Sequence, residues 1–443
     1  MSQVEYHKQG RIAVFYPSPG LGAFQPLLDA SGLLADYGYL VEIYTLSHPF
    51  HPRPMSNHPG VVINTECSEL FIGGGIQIPK LVYGKNGRFI QWGGKLFHWG
   101  GRLFHWFETS FYRPISRHRF DSIFRSNHEV LPYKCFIGMN RWGEGLIEAA
   151  SFAEKLNIPL INWSLELSFM DKQQNKKQRK RKIQEIDCSQ KAVFTIIQDK
   201  WRAKALADEN GISISKMVLV PNAPMGIARR KPDRSYRERL GIPVDKKIIL
   251  CTGNIGYHSM NLEIIEAANN LPNEYILVMQ SPQSPSPKYD YSTQMILSAN
   301  TERVKLFFDP VPTENYRALV DAADVGICFY RACSFDSPKT YSKNLDIIGL
   351  SSGKLSDYLY SGLPVIVNDV IGPKELVASN ECGKWVNNPK DIEIALRVIF
   401  LNYDYYSNNA CRCFNEKLEL SKYFQPVIER ISGMYNSQRY SRQ

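Results

Sequence analysis

Segment 349–367 reads Gly-Leu-Ser-Ser-Gly-Lys-Leu-Ser-Asp-Tyr-Leu-Tyr-Ser-Gly-Leu-Pro-Val-Ile-Val. It sets polar residues where a helix start can do chemistry. Ser352 suits the N-cap, whose side-chain oxygen accepts from an orphan amide of the first turn. Gly353 leaves room for a ligand against the backbone amides, and those amides with the helix dipole favour an anion. Lys354 falls in the same first turn. A cation there is disfavoured by about 0.3–1 kcal/mol when exposed, and a bound phosphate reverses the sign. Asp357, one turn on, can accept hydrogen bonds from a ribose diol. Leu355, Tyr358 and Leu359 give a short apolar face, Gly362 stops the helix and residues 364–367 form the next strand. On spacing alone, a phosphate site and a plain loop with a solvated lysine both stay open.

The elements that would position these residues are strand–helix–strand units. Arg11-Ile12-Ala13-Val14-Phe15-Tyr16 reads as a buried strand, followed by a turn-rich loop through Gly20 and Gly22. Leu27, Leu28, Ser31, Leu34 and Ala35 recur at helical spacing, Gly38 ends that helix, and residues 40–44 begin the next strand. A second unit starts at Lys247. Its strand is 248–252, its loop 253–256, its helical face Ile264, Ile265, Ala268 and Leu271, and its next strand 275–279. Strands over 133–139, 158–163, 325–330 and 364–367, and a helix over 143–156, continue the alternation. Two such starts predict two doubly wound α/β domains. The proline- and arginine-rich stretch 221–243 reads as the linker, and 423–435 as a terminal helix. The expected division is 1–225, 226–420 and a helix in 421–443 that can pack back on the first domain.

The 443 residues are 44 % hydrophobic and 12 % aromatic, enough for full cores. The first residues show no apolar secretory segment, and no run of about 18 apolar residues spans a bilayer. The expected location is the cytoplasm, with peripheral attachment to the inner membrane face. Nine scattered cysteines, of which Cys411 and Cys413 are closest, read as free buried thiols of a reducing compartment. The net charge of +10 suits anionic partners without choosing among them.

The segment resembles the donor-binding stretch of retaining GT-B glycosyltransferases of the family 4 type. The matching residues are Lys354, Leu355, Asp357, Tyr358, Gly362, Pro364 and Val365. Residues 372–377 look like the glycine-rich turn before a Glu-Leu pair, with Gly383 in the turn beyond. Residues 304–309 and 316–325 look like the preceding strand and helix, and Gly253-Asn254 like the loop after the first strand of the donor domain. Gln198-Asp199, Arg202 and Val220-Pro221-Asn222 look like closing elements of the N-terminal domain, and Gly20 and Gly22 like a glycine loop facing the cleft. The resemblance implies a GT-B architecture of two Rossmann-like domains facing a central cleft. The first would bind the acceptor and the second the donor. It implies transfer of a hexose from a UDP- or GDP-sugar to a hydroxyl of a glycan or lipid-linked saccharide, with retention. No cofactor or metal is implied, and no Asp-x-Asp motif occurs.

The sequence departs from the pattern in three places. Many members carry an acid eight positions before the Asp357 equivalent, where this chain has Gly349; Asp346 is the nearest carboxylate that could replace it. The loop from Gly253 lacks the usual arginine and lysine, so Arg331 and Lys339 are candidates to meet the substrate's charge. Where many members have a histidine, this chain has Ser164, with Glu166 two residues on as a candidate catalytic carboxylate beside Lys354. Glu166 bound by the nearby basic run is the structural alternative. Amides near Gly253, Asn254, Ser352, Gly353 and Leu355 and the Asp357 carboxylate make the expected donor site. Gly20, Gly22, Ser164, Arg331 and Lys339 are expected to meet the sugar or acceptor.

Two basic stretches bear on partners. In 87–120, Gly93-Gly94-Lys95-Leu96-Phe97-His98-Trp99 is followed by the near-copy Gly100-Gly101-Arg102-Leu103-Phe104-His105-Trp106. Residues 172–182 hold Lys172, Lys176, Lys177, Arg179, Lys180, Arg181 and Lys182. Both suit an anionic membrane surface, and a packed helix and a solvated helix face are their alternatives. Nucleic acid is not expected, since no binding motif accompanies the charge. Two other functions stay open. One is an inverting transferase or nucleotide-sugar epimerase with His7 or Glu166 as base. The other is a non-catalytic subunit.

Overall fold

The computed structural model describes residues 9–18, 20–21, 24–46, 55–56, 58–65, 67, 113–282, 290–308, 311, 313–334 and 337–440. The chain divides into two compact units. One comprises Met1–Ser164, Gln173–Thr195 and Ile428–Gln443, the other Leu165–Lys172 and Ile196–Val427.

The first sheet contains β1 (Gly10–Tyr16), β2 (Tyr39–Thr45), β3 (Val61–Asn64), β4 (Tyr133–Arg141), β5 (Leu160–Glu166), β6 (Phe194–Ile197) and β7 (Met217–Leu219), in the order β3-β2-β1-β4-β5-β6-β7. β1 lies parallel to both neighbours, with Ile12 opposite Val41 and Cys135. Every residue of β1 is buried, as expected for a central parallel strand covered on both faces. On one face Phe15, Phe124, Phe136 and Phe152 pack together, with ring centroids 4.9–6.0 Å apart.

The second sheet contains β8 (Lys247–Thr252), β9 (Tyr275–Gln280), β10 (Val304–Phe307), β11 (Val325–Cys328), β12 (Val365–Asn368) and β13 (Gly383–Val386), in the order β10-β9-β8-β11-β12-β13. Its strands pair in parallel. Along β8 the side chains alternate between two cores. Ile248 and Leu250 meet Leu355, Tyr358 and Leu359 on one side, whereas Ile249 and Cys251 meet Ile264 and Ile265 on the other. The doubly wound α/β class read from the sequence is therefore present twice.

Boundaries moved by a few residues. The strand expected over 158–163 is Leu160–Glu166, and the stretch read as a linker contains a short helix, Arg234–Arg239, capped by Asp233. The terminal helix runs Leu420–Tyr440 with Pro426 inside it. All nine cysteines are free thiols, and eight are buried. The repeat 93–106, His7 and Gly22 lie outside the described residues. Among the described residues no helix is long and apolar enough to cross a membrane.

The basic run 172–182 does not behave as one face. Lys172, Lys176, Lys177, Arg179 and Lys180 are exposed. Lys182 is buried, with Nζ 3.2 Å from both Glu185 carboxylate oxygens, and Arg181 pairs with Glu144 at 3.0 Å. A helix turn carries successive residues about 100° apart, so a basic run of this length must put some cations inward.

Candidate functional site

The helix Gly353–Tyr360 begins where the sequence indicated. Ser352 is extended, and its Oγ accepts from Leu355 N at 3.4 Å. The same Oγ shares a 2.6 Å hydrogen bond with the Tyr330 hydroxyl and lies 3.3 Å from Cys328 Sγ. Burial holds the Tyr330 phenol well above its usual pKa, so it stays protonated and can donate. The cap is thus tied to the end of β11 by a side-chain hydrogen bond. Lys354 Nζ stands 4.7 Å over the Tyr330 ring, a cation–π contact. Among the described residues no carboxylate pairs with Lys354. Asn222 closes the loop before the helix, its N donating to Leu350 O at 3.1 Å and its Nδ2 to Ser351 O at 2.9 Å.

The far end of the helix is anchored through Tyr358. Gly326 of β11 makes room for it: a Cβ there would lie 2.2 Å from the Tyr358 ring. The Tyr358 hydroxyl accepts from Thr252 N at 2.8 Å, at the carboxyl end of β8. Gly253 follows with φ +109°, and a Cβ added to it meets nothing within 4 Å. At Gly353 the nearest atom to an added Cβ is Asn222 Nδ2 at 3.6 Å. Both glycines therefore leave backbone uncovered. They stand at the carboxyl side of β8 and β11, where the strand order reverses, the place ligands take in open parallel sheets.

His258, in the loop after β8, comes beside Lys354. Burial first and the Lys354 charge second lower its pKa to about 4, so it is neutral at neutral pH. Arg331 joins the same corner through its backbone, donating to His258 O at 2.8 Å. Its guanidinium is engaged by Glu263 at 2.6 Å. Lys339 is exposed, and its N donates to Ser337 Oγ at 3.3 Å. Asn254 is exposed next to Gly253, whereas the Leu355 side chain is fully in the core and its amide serves the cap. Asp357 faces Arg317 at 3.4 Å, and Arg317 also donates to Asp357 O and Ser361 Oγ. Burial raises the Asp357 pKa, against the opposing pull of Arg317 and a Tyr316 hydrogen bond.

Gly349 has φ +56°, and a Cβ there would fall 2.0 Å from Asp199 Oδ2. Asp199 accepts from Leu350 N at 2.7 Å and from Trp201 and Arg202 N at 2.9 Å each. The position is closed to any larger residue by a buried carboxylate. Asp346 does not reach this place; it accepts from the Tyr341 hydroxyl at 2.7 Å and is exposed. Glu166 packs with the second unit. It accepts from Asn344 Nδ2 at 2.5 Å, and Asn344 Oδ1 receives Leu167 N at 3.1 Å. Ser164 is fully buried in β5, and Gly20 N donates to Ser18 Oγ at 3.3 Å in the first unit.

Tyr330, His258 and Arg317 are the residues that sequence reasoning missed. A tyrosine and a histidine just past strands that flank a reversal of strand order were the available signals.

No family model matches the sequence, and no curated protein matches it either. Solved structures match over nearly the whole chain. Sucrose-phosphate synthase from Thermosynechococcus elongatus aligns at 15 % identity with TM-score 0.60, covering 98 % of this chain and 100 % of that one. HepE of Anabaena, solved with UDP and glucose, aligns at 12 % identity with TM-score 0.63, covering 96 % and 100 %. A glycosyltransferase from Rickettsia africae aligns at 12 % identity with TM-score 0.61, covering 97 % and 99 %. At such identities the likeness is one of fold: the chain has the GT-B fold of two Rossmann-like domains.

Proposed function

We propose that the protein is a glycosyltransferase that takes a hexose from a nucleoside diphosphate sugar, with the diphosphate at the start of the helix Gly353–Tyr360. The observation that carries this reading is Lys354. It stands in the first turn of a helix, where a cation costs about 0.3–1 kcal/mol, and no described carboxylate offsets it. A diphosphate would turn that cost into a gain and would take the Gly353 and Lys354 amides as donors. The likeness to HepE, solved with UDP and glucose, supports a nucleotide-sugar donor. UDP is accordingly the first nucleotide to test, with GDP the alternative.

In this reading the chain's own groups stabilise the leaving diphosphate, the main electrostatic task of the reaction. Asp357 meets the ribose diol once Arg317 shares it. Gly253 and Asn254 lie against the donor through exposed backbone, and Leu355 serves by packing. Arg331 reaches the donor only by leaving Glu263. Glu166 is oriented by Asn344 for contact with sugar or acceptor, and Gly20, Gly22, Ser164 and Lys339 are assigned to substrate by resemblance alone. Retention, the family 4 type, independence from metal, and a glycan or lipid-linked acceptor belong to the same proposal. So do the domain limits 1–225, 226–420 and 421–443, and peripheral attachment on the cytoplasmic side of a membrane.

Calorimetry with UDP is the direct test. Lys354→Ala should weaken UDP binding by about tenfold or more, the loss of one charge-assisted contact. An unchanged dissociation constant would sink the phosphate assignment. A second reading, nucleotide binding without turnover, is motivated by Gly349, where Asp199 leaves no room for the family's acid. Saturable UDP binding with no product across a panel of sugars and acceptors would favour it.

A further inference from the structure

In the first unit, the turn after β4 carries an unusual residue. Arg141 N donates to Glu144 O at 3.2 Å and Glu144 N to Arg141 O at 3.1 Å, closing a reversal around Trp142 and Gly143. Both central residues have positive φ, 56° and 89°. This is the pattern of a type I′ turn, for which asparagine, aspartate and glycine are the ordinary choices. Gly143 fits, and its amide is taken by Asn140 Oδ1 at 2.8 Å. Trp142 does not fit, because a bulky L-residue at positive φ is strained. Burial gives no compensation, since the residue is 50 % exposed. The turn thus holds a large ring in water at a conformational cost, and strain of this kind gathers where a side chain serves a ligand.

The place and the neighbours agree with that reading. The strand order reverses between β1 and β4, so the turn stands at the ligand-binding edge of this sheet. A Cβ on Gly145 would lie 2.7 Å from Phe15 O and 2.4 Å from Met139 O, so the turn is pressed against both strand ends. The Arg141 guanidinium lies 5.0 Å from the Trp142 ring centroid, and its Nη1 donates to Ser18 Oγ at 3.4 Å in the loop after β1. The turn's own carboxylate, Glu144, is held by Arg181 instead.

We propose that Arg141 and Trp142 form a platform for an anionic pyranose, a sugar ring carrying a carboxylate or a phosphate. The C–H face of the ring stacks on the electron-rich face of the half-exposed indole. The anion meets the guanidinium, whose planar fork suits carboxylate and phosphate alike. The assignment rests on the transferase reading in one respect only: the sugar bound here would be part of the acceptor.

The test is calorimetry and ligand-observed NMR with methyl glucuronide, glucose 6-phosphate and neutral methyl glucoside, in saturating UDP so that a donor site is blocked. The wild type should bind one or both anionic probes more tightly than the neutral one, and the tighter of the two identifies the anion. Arg141→Gln should weaken the anionic probes about tenfold and leave the neutral one unchanged. Trp142→Asn should weaken all three about tenfold while raising Tm, because asparagine suits the turn. Unchanged binding in Trp142→Asn, equal affinity for charged and neutral probes, or no binding to the wild type would each overturn the platform. UDP affinity is measured on the same samples. Its absence in the wild type counts against the donor site alone, and its retention in both variants shows that the fold is intact.

Discussion

At the residue scale, the cation at the helix start is steadied by a ring rather than by a carboxylate. Tyr330 does two things at once: its ring lies under Lys354 and its hydroxyl fixes the cap Ser352. Tyr330→Phe keeps the first and removes the second. Its expected cost is about 1 kcal/mol of stability by urea melts, with a smaller rise in the UDP dissociation constant than Tyr330→Ala gives. His258 supplies a pH signature. Its folded pKa, about 4, lies below the unfolded value of about 6.5. As pH falls, the unfolded chain takes up the proton first. The stability from the neutral ring is therefore complete above about pH 6.5 and is lost on the way down to about pH 4. His258→Gln should show a smaller drop in Tm between about pH 7 and about pH 5 than the wild type.

At the element scale, two glycine turns and one carboxylate set the loop before the helix Gly353–Tyr360. A Cβ on Gly372 would lie 2.4 Å from the Gly349 Cα, and one on Gly349 would strike Asp199. Gly349→Ala should therefore destabilise by about 2–3 kcal/mol, since it adds both strain and a clash. An unchanged denaturation midpoint would refute the packing described. The helix itself was legible in the sequence because its signals are local: a serine cap, a short apolar face and a stop glycine. What Asp199 does was not legible. It is 150 residues from Gly349 in the chain, and only folding brings its carboxylate to the amide of Leu350.

At the scale of the whole molecule, the chain ends by rejoining its beginning. Residues Ile428–Gln443 belong to the first unit, where Ser432 Oγ shares a 3.3 Å hydrogen bond with the Tyr39 hydroxyl and Arg430 lies 5.6 Å from the Phe194 ring centroid. Ile428 and Ile431 are each 1 % exposed. Deleting 428–443 should cost the first unit about 3–5 kcal/mol. Hydrogen exchange should quicken in β1 and β2 while β8 and β9 stay protected. The basic helix divides in the same spirit. Lys182→Ala removes the cation beside the buried Glu185 and should lower Tm markedly, whereas Lys176→Ala and Lys180→Ala should each change stability by less than about 0.5 kcal/mol.

The sequence by itself determined the two α/β sheets, the start and stop of the helix Gly353–Tyr360 and the near-total burial of the thiols. These follow from periodicity, caps and glycine punctuation, which act over a few residues. Tertiary structure alone decided the state of the charges around the helix Gly353–Tyr360. Arg331 met Glu263, Asp357 met Arg317, and Lys354 found a ring and no described carboxylate. Such pairings depend on which distant elements a parallel sheet sets side by side, and residue spacing carries no record of that.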